Sequence, residues 1–261
     1  RHTGKDVDYY VVMGTTGEAS TVTSEEKREI LKFVRQNNEH GLPIVYGIGG
    51  NNTYAAVETI RSQDFRGIDA ILSVSPYYSK PSQEGIYLHF REVAAASPVP
   101  VILYNVPGRT SSNMSADTTL RLAQLKNVLG IKEASGNVEQ CMHISKRKPD
   151  NFLLMSGDDM LTVPLYSIGS KGVISVLANA FPSIFRKMKE YAFASQFGKA
   201  SKEQFKLIEI NGSMYEEGNP VGIKYLLSEM GICEPFTRLP FAPASSSLKK
   251  KIAALYQSMK K

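Results

Sequence analysis

The chain has 261 residues, of which 42% are hydrophobic and 21% are charged, and its formal net charge is +6. This length and apolar fraction allow one large core or two smaller ones, and the ordinary charged fraction excludes a wholly disordered chain. The basic residues form no stripe interleaved with aromatic residues, and no apolar run is long enough to span a membrane, so we expect neither a nucleic-acid nor a membrane partner.

Seven short apolar or β-branched runs recur along the chain and predict strands. The first six are almost continuously hydrophobic, without alternation, which is typical of parallel strands covered on both faces. The seven runs are 9–13, 44–48, 71–74, 99–104, 128–131, 152–155 and 172–176.

Predicted helices separate these strands and follow the last one. Thr23-Ser24-Glu25-Glu26 is a capping box that opens the first helix, over 27–36. Other helices are predicted over 53–65, 82–96, 115–125 and 138–146, and then over 183–195, 199–215, 221–230 and 246–259. One strand and one helix therefore take about 30 residues, the length of a unit in a (β/α)₈ barrel.

This alternation predicts an α/β fold, with a (β/α)₈ TIM barrel over residues 1–195 and a C-terminal helical region over residues 196–261. We count seven strands instead of eight, and residues 1–4 look like the end of a helix. The first strand–helix unit of such a barrel is therefore expected to be absent from this sequence. An open doubly wound sheet is the alternative architecture.

The cysteines and histidines show no pattern typical of a disulfide framework, a redox motif or a metal site. Cys141 and Cys233 lie far apart in helix-like segments, which favours a reducing, cytoplasmic location. The four histidines lack the spacing of metal ligands, so we expect no metal.

Polar residues follow several predicted strands. In a parallel barrel these strand ends all lie at one face, where active sites are found. Singly, each polar group has a structural explanation: a turn, a packed tyrosine, a surface charge or a helix cap. Together they supply hydroxyls, tyrosines, an arginine and a lysine, which suit the binding of a keto acid and proton transfer. The segments are Gly14-Thr15-Thr16-Gly17-Glu18, Ser75-Pro76-Tyr77-Tyr78, Tyr104-Asn105-Val106-Pro107-Gly108-Arg109-Thr110, Lys132 and Ser156-Gly157-Asp158-Asp159.

Lys132 is the strongest candidate for covalent catalysis. It ends the apolar run that begins at Val128, so we expect a lysine at the C-terminal tip of a buried strand. Removal from water disfavours the charged form of an amine, and a neutral amine can form a Schiff base with a carbonyl substrate. The alternative is a strand-end lysine whose amine reaches solvent.

Six motifs of the chain, in order, resemble the pyruvate-dependent class I aldolase family that contains dihydrodipicolinate synthase and N-acetylneuraminate lyase. The resemblance runs from about Val7 to the C-terminal helices and is closest to the synthase branch. Members of this family carry an additional N-terminal strand and helix. The motifs are Gly14-Thr15-Thr16-Gly17-Glu18, Tyr77-Tyr78, Tyr104-Asn105-Val106-Pro107-Gly108-Arg109-Thr110, Ile131-Lys132-Glu133-Ala134, Ser156-Gly157-Asp158-Asp159 and Gly172-Val173-Ile174-Ser175.

The resemblance implies a reaction. Pyruvate would condense with Lys132 to an imine, so that no separate cofactor is needed. Tyr104 would transfer protons through a hydroxyl relay with Thr16 and Tyr78. The resulting enamine would attack L-aspartate 4-semialdehyde and give 4-hydroxy-tetrahydrodipicolinate, as in lysine and diaminopimelate biosynthesis. Tyr78 would come from a neighbouring subunit, which implies a homo-oligomer, either a dimer or a tetramer.

The resemblance also implies the substrate-binding residues. The hydroxyls and backbone N–H groups of Thr15 and Thr16 would bind the pyruvate carboxylate. Arg109 would bind the carboxylate of the semialdehyde with its guanidinium fork. Gly157 and Ile174 would line the pyruvate pocket. Two alternatives stay open: an N-acetylneuraminate lyase-like aldolase acting on a sugar keto acid, and a catalytically inactive barrel that binds a small ligand.

One departure from the family pattern concerns inhibition by lysine. Members that lysine inhibits bind it in a pocket lined in part by two histidines and a glutamate. In this chain Ser24 and Lys27 stand where the histidines would be, and Ala55 stands where the glutamate would be. A lost carboxylate and an added ammonium repel a cationic ligand. We therefore expect weak or no inhibition by lysine.

Overall fold

Residues 4–260 are described by a computed structural model. Seven parallel strands form one sheet in the order β1 to β7, each strand pairing with the next along the chain. All seven predicted strands are confirmed, with small shifts at their ends. They are β1 Tyr10–Val12, β2 Ile44–Gly47, β3 Ala70–Val74, β4 Val101–Asn105, β5 Val128–Glu133, β6 Leu153–Ser156 and β7 Gly172–Val173. Residues 1–3 of the helix end predicted at residues 1–4 lie outside the described residues, and Gly4 lies in a turn.

Twelve α-helices connect and follow these strands within residues 4–260. The predicted capping box is confirmed, since Thr23 Oγ1 accepts from Glu26 N and the Glu26 carboxylate accepts from Thr23 N. The helices are α1 Ser24–Gln36, α2 Thr53–Ser62, α3 Gln83–Ala96, α4 Pro107–Thr110, α5 Ala116–Leu122, α6 Val138–Arg147, α7 Thr162–Ser167, α8 Pro182–Phe193, α9 Phe197–Phe205, α10 Ile208–Asn211, α11 Val221–Glu229 and α12 Ser246–Ser258.

The predicted helix over 199–215 is wrong. Three short elements replace it: α9, α10 and a 3₁₀ turn at Gly212–Met214. Leu207 lies between the two α-helices and is fully buried, and Gly212 lowers the helix propensity further along. Tertiary packing therefore overrides the helical pattern here. The short helices α4 and α7 were not predicted, because four to six residues are too few to show a helical period.

The sequential strand order identifies the sheet as that of a (β/α)₈ barrel, with seven strands among the described residues. A doubly wound sheet would reverse its strand order at a switch point, so that alternative is wrong. The sheet also curls, which brings its first and last strands together. The hydroxyl of Tyr9, beside β1, donates to the backbone oxygen of Val173 in β7 at 3.1 Å.

Contacts divide the chain into two compact units. The strand unit comprises Tyr9–Val12 and Leu42–Ile174, and so contains all seven strands and helices α2 to α7. The helical unit comprises the other described residues, with α1 and α8 to α12. The predicted domain boundary at 195/196 stays a prediction. No helix within residues 4–260 is both long enough and apolar enough to cross a membrane.

The inner face of the sheet is filled by side chains from successive strands. This is the expected filling of a parallel barrel, whose interior is a packed core. The cluster consists of Val45, Ala70, Leu72, Ile102, Tyr104, Val106, Met155 and Ile174, with Tyr9, Val11, Val74, Leu129, Ala134 and Leu153 packed against it.

Strands β4 and β5 pair with one irregularity. Val101 pairs with Val128, but Ile102 pairs with Gly130, so Leu129 is an extra residue on β5. This is a β-bulge, which is rare between parallel strands. Beyond it the pairing is regular, and Tyr104 faces Lys132 across the ladder.

Candidate active site

Lys132 and Tyr104 form the centre of the candidate site. Their side chains point to the same face of the sheet, and Lys132 Nζ lies 4.2 Å from the centroid of the Tyr104 ring. Lys132 is only 9% exposed, so its amine does not extend freely into solvent as the alternative interpretation required. The prediction that Lys132 ends its strand is wrong by one residue, because β5 continues to Glu133.

Gly157 follows β6 and allows the backbone to approach the lysine closely. A Cβ at this position would lie 2.9 Å from Lys132 Cε and 2.7 Å from Ala134 Cβ, distances at which atoms overlap. The Gly157 N–H donates to the backbone oxygen of Glu133 at 2.8 Å, which fixes this approach. Gly157 therefore borders the aliphatic part of Lys132.

Ile174 lies just beyond β7 and belongs to the same buried inner cluster as Tyr104. Its backbone N–H donates to Ser156 O at 2.9 Å, which continues the pairing of β6 and β7. The structure thus brings four predicted residues to one region of the strand unit: Lys132, Tyr104, Gly157 and Ile174.

Arg109 belongs to the short helix α4, which directly follows β4. Its backbone N–H donates to Val106 O at 2.9 Å, and its side chain is exposed. An exposed guanidinium after the end of the strand that carries Tyr104 is available to a carboxylate from solution.

Tyr78 has an unusual backbone and an exposed side chain. Its φ is +71°, and the N–H of Ser79 donates to Tyr77 O at 2.9 Å, so Tyr78 is the central residue of a three-residue turn. Such turns with positive φ are strained for a residue with a side chain. Tyr78 as a whole residue is 87% exposed, so it does not pack into the core.

Thr15 and Thr16 lie in the helical unit, in the turns that follow β1. Thr16 Oγ1 accepts a hydrogen bond from Asn219 Nδ2 at 3.0 Å, so its own hydrogen stays available as a donor. Glu18 in the same segment forms an ion pair with Lys224 of α11 at 2.7 Å. The C-terminal helical region thus holds the segment that carries both threonines.

Sequence reasoning missed a buried polar cluster on the outer face of β4 and β5. The Glu133 carboxylate accepts hydrogen bonds from Asn105 Nδ2 and Gln140 Nε2. A signal was present, because Asn105 and Glu133 each follow a predicted site residue directly. Burial raises the pKa of the neighbouring Cys141 thiol to about 12, and the Glu133 carboxylate adds to that effect. The thiol is therefore not a second nucleophile.

The chemistry available to this arrangement follows from its parts. A buried amine can attack a carbonyl carbon, and the hydroxyl of the tyrosine whose ring lies beside it is a group that can exchange protons. The exposed Arg109 adds affinity for a carboxylate.

Known proteins match the chain along almost its whole length. It matches the family model described as the Dihydrodipicolinate synthetase family over residues 2–259. A 4-hydroxy-tetrahydrodipicolinate synthase of Cytophaga hutchinsonii is 50% identical over 246 residues, which are 94% of this chain and 83% of that protein.

Solved structures give the same result. The dihydrodipicolinate synthase of Thermotoga maritima superimposes with a TM-score of 0.96 at 30% identity, covering 100% of this chain and 90% of the other. A monomeric variant of dihydrodipicolinate synthase gives a TM-score of 0.96 at 31% identity, covering 100% of this chain and 88% of the other.

Proposed function

The chain belongs to the Dihydrodipicolinate synthetase family, and from this membership we propose that it condenses pyruvate with L-aspartate 4-semialdehyde to give 4-hydroxy-tetrahydrodipicolinate. The enzyme acts in lysine and diaminopimelate biosynthesis. The similar proteins described above carry the name of the synthase and not that of a sialic-acid lyase, which favours the synthase over both alternatives.

The single observation that supports the proposed mechanism is the Lys132–Tyr104 pair. Lys132 Nζ attacks the keto carbon of pyruvate, and loss of water leaves an imine that acts as an electron sink. The low exposure of Lys132 and the 4.2 Å separation from the Tyr104 ring support this role. The electron sink is the imine that pyruvate itself forms with Lys132. The proposed reaction therefore needs neither a cofactor nor a metal.

Tyr104 transfers the protons of this reaction. Its hydroxyl exchanges protons at the imine and the enamine, and Thr16 and Tyr78 complete a relay toward solvent. The Thr16 hydroxyl, which accepts from Asn219 and keeps its hydrogen, suits such a relay.

Five residues bind the two substrates. Thr15 and Thr16 bind the pyruvate carboxylate, and Gly157 and Ile174 line the pocket for its methyl and carbonyl groups. Arg109 binds the carboxylate of the semialdehyde, for which its exposed position after β4 is suited. After carbon–carbon bond formation, the amino group of the second substrate displaces Lys132 and closes the ring.

Borohydride reduction in the presence of pyruvate tests the covalent step. Reduction converts the imine to a stable secondary amine, which peptide mapping locates. We expect the adduct on Lys132, and Lys132→Ala should abolish both the adduct and the condensation. Lys171→Ala, at an exposed lysine of the strand unit, is the control and should keep both. An adduct that persists in Lys132→Ala would contradict the proposal.

The proposed assembly is a homo-oligomer, a dimer or a tetramer, in the cytoplasm. Tyr78 supports this assembly, because its backbone is strained and the residue is 87% exposed. A second copy of the chain that packs against the ring would bury it.

A mixing experiment tests whether Tyr78 of one subunit acts in the active site of its neighbour. Lys132→Ala and Tyr78→Phe subunits, each poorly active alone, are mixed after dissociation and allowed to reassociate. If Tyr78 acts across the interface, mixed oligomers contain a site with both native residues, and activity returns. No recovery from demonstrably mixed oligomers would contradict this role of Tyr78.

A further inference from the structure

The buried polar cluster behind the active-site pair has a specific position. Adjacent side chains on a strand point to opposite faces, so Asn105 and Glu133 project outward where Tyr104 and Lys132 project inward. The strands pair Asn105 with Glu133 just as they pair Tyr104 with Lys132. Asn105 is fully buried and Glu133 is 2% exposed. The cluster is thus one residue removed from the chemistry along both strands.

The Glu133 carboxylate holds this cluster together through neutral donors. Asn105 Nδ2 lies 3.1 Å from both carboxylate oxygens, and Gln140 Nε2 of α6 lies 2.9 Å from Oε2. The backbone N–H of Ser135 donates to Oε1 at 2.8 Å. Hydrogen bonds to an ionised carboxylate are stronger than those between neutral groups. A buried carboxylate without them would be costly.

The same cluster closes the base of the segment that carries Arg109. Asn105 Oδ1 accepts from Met114 N at 3.0 Å, and Asn105 Nδ2 also donates to Asn113 Oδ1 at 2.8 Å. Asn113 Nδ2 in turn donates to Gln140 Oε1 at 2.8 Å. The chain from Asn105 to Met114 is therefore a loop whose two ends are fastened to β5 and α6 through Glu133 and its partners.

From this arrangement we propose that Glu133 is a positioning residue for the second substrate. Its carboxylate orients the Asn105 amide, the amide fixes the base of the loop, and the loop sets the position of Arg109. Glu133 itself does not touch the substrate. The inference rests on the proposed function, because it assigns Arg109 to the carboxylate of the semialdehyde.

Glu133→Gln tests the proposal, because it keeps the side-chain volume but places an NH₂ group against donors. Asn105 cannot turn its amide to compensate without losing the bond from Met114 N. We expect the KM for aspartate semialdehyde to rise roughly tenfold, the effect of one lost charge-assisted hydrogen bond. The KM for pyruvate should stay within about twofold, and the borohydride adduct should still form. A merely structural role would lower the active fraction, and with it kcat, without moving either KM.

Two further variants keep the test decisive if Glu133→Gln folds poorly. Asn113→Ala removes a partly exposed member of the cluster and should raise the same KM several-fold, by about one hydrogen bond. In combination with Arg109→Ala, either change should raise the KM for aspartate semialdehyde much less than it does alone, because both changes act through the Arg109 guanidinium.

Asn127→Asp is the matched control. Asn127 Nδ2 donates hydrogen bonds to the backbone oxygens of Ala94, Ser97 and Val99. These contacts lie at the N-terminal ends of β4 and β5, away from the candidate site. This change should lower stability without changing the KM for aspartate semialdehyde. An unchanged KM in folded Glu133→Gln or Asn113→Ala, or full additivity with Arg109→Ala, would overturn the proposal. If the unaltered protein forms no pyruvate adduct, the proposed function fails instead.

Discussion

At the scale of single residues, Lys132 and Tyr104 are the two groups proposed to carry the chemistry, and Gly157 and Glu133 lie next to Lys132. Lys132 and Tyr104 stand out because each is reactive and ends an apolar run. Gly157 was identified by resemblance, but only the structure gives the reason, a backbone that approaches Lys132 too closely for a Cβ. Glu133 was missed because its role depends on partners from three separate segments, and a linear pattern does not contain such contacts.

Gly157→Ala should damage catalysis more than folding. The new Cβ would lie 2.7 Å from Ala134 Cβ and 2.9 Å from Lys132 Cε, so both Ala134 and the lysine side chain must shift. A shift of about 1 Å at a reacting group costs on the order of 100-fold in rate, and we expect that loss in kcat/KM for pyruvate. Gly198→Ala is the control, because its Cβ would meet nothing within 4 Å. Equal kcat/KM values for the two variants would show that Lys132 tolerates the contact.

Tyr104→Phe should separate proton transfer from packing. The ring is buried in the inner cluster, and phenylalanine keeps that packing while removing the hydroxyl. General acid–base groups typically contribute 100- to 10,000-fold, so we expect kcat to fall by roughly 100-fold or more with little change in melting temperature. Steady-state kinetics and calorimetry measure the two quantities. Near-normal kcat would assign the proton transfer to another group.

At the scale of elements, local signals predict helices and strands where local chemistry decides their ends. The predicted Thr23 capping box begins α1, and Ser82 and Ser115, which the sequence placed inside the predicted helices, are the N-caps of α3 and α5. The break between α9 and α10 is different. It depends on the burial of Leu207, which only the assembled helices determine.

The contact between α2 and α3 predicts a pH dependence of stability. His89 of α3 is buried beside Thr53 of α2, at 2.9 Å from Nδ1 to Oγ1, and burial lowers its pKa to about 4. The unfolded chain takes up this proton near pH 6.5, whereas the native state does so only near pH 4. The contribution of the buried, neutral His89 to the free energy of unfolding is therefore fully present above pH 6.5 and is lost as the pH falls toward 4.

His89→Gln should remove this dependence. The shift of the His89 pKa from 6.5 to about 4 corresponds to about 3 kcal/mol of unfolding free energy between these two pH values. On acidification, the free energy of unfolding of the parent should therefore fall by nearly this amount more than that of the variant. Urea unfolding at about pH 7 and about pH 4.5 measures the difference. His143→Gln, at an exposed site on α6, is the control and should behave as the parent does. Identical pH profiles for all three proteins would refute the assignment.

At the scale of the whole molecule, the fold class was predictable because its signal is repeated. Seven apolar runs at a spacing of one strand–helix unit indicate a parallel barrel even where individual ends are misjudged. Quaternary structure has no such repeated signal, and it rests in this chain on the exposure of one tyrosine.

Weak feedback by lysine is the prediction that concerns regulation of the complete enzyme. Ser24, Lys27 and Ala55 replace the residues that would recognise a cationic amino acid, and Lys27 adds repulsion. We expect little inhibition of the condensation at millimolar lysine, measured in a coupled assay of initial rates. Strong inhibition below millimolar concentration would contradict this expectation.

The bulge at Leu129 has a consequence for how the length of this chain can vary. The extra residue lies before the regular part of the β4–β5 ladder, so its deletion would leave Ile102 paired with Gly130 and Tyr104 with Lys132. A deletion or insertion between Gly130 and Lys132 would instead place the amine on the opposite face, among the helices. The number of residues at the start of β5 is therefore less constrained than the spacing from Gly130 to Lys132, which decides the face of the sheet on which the amine lies.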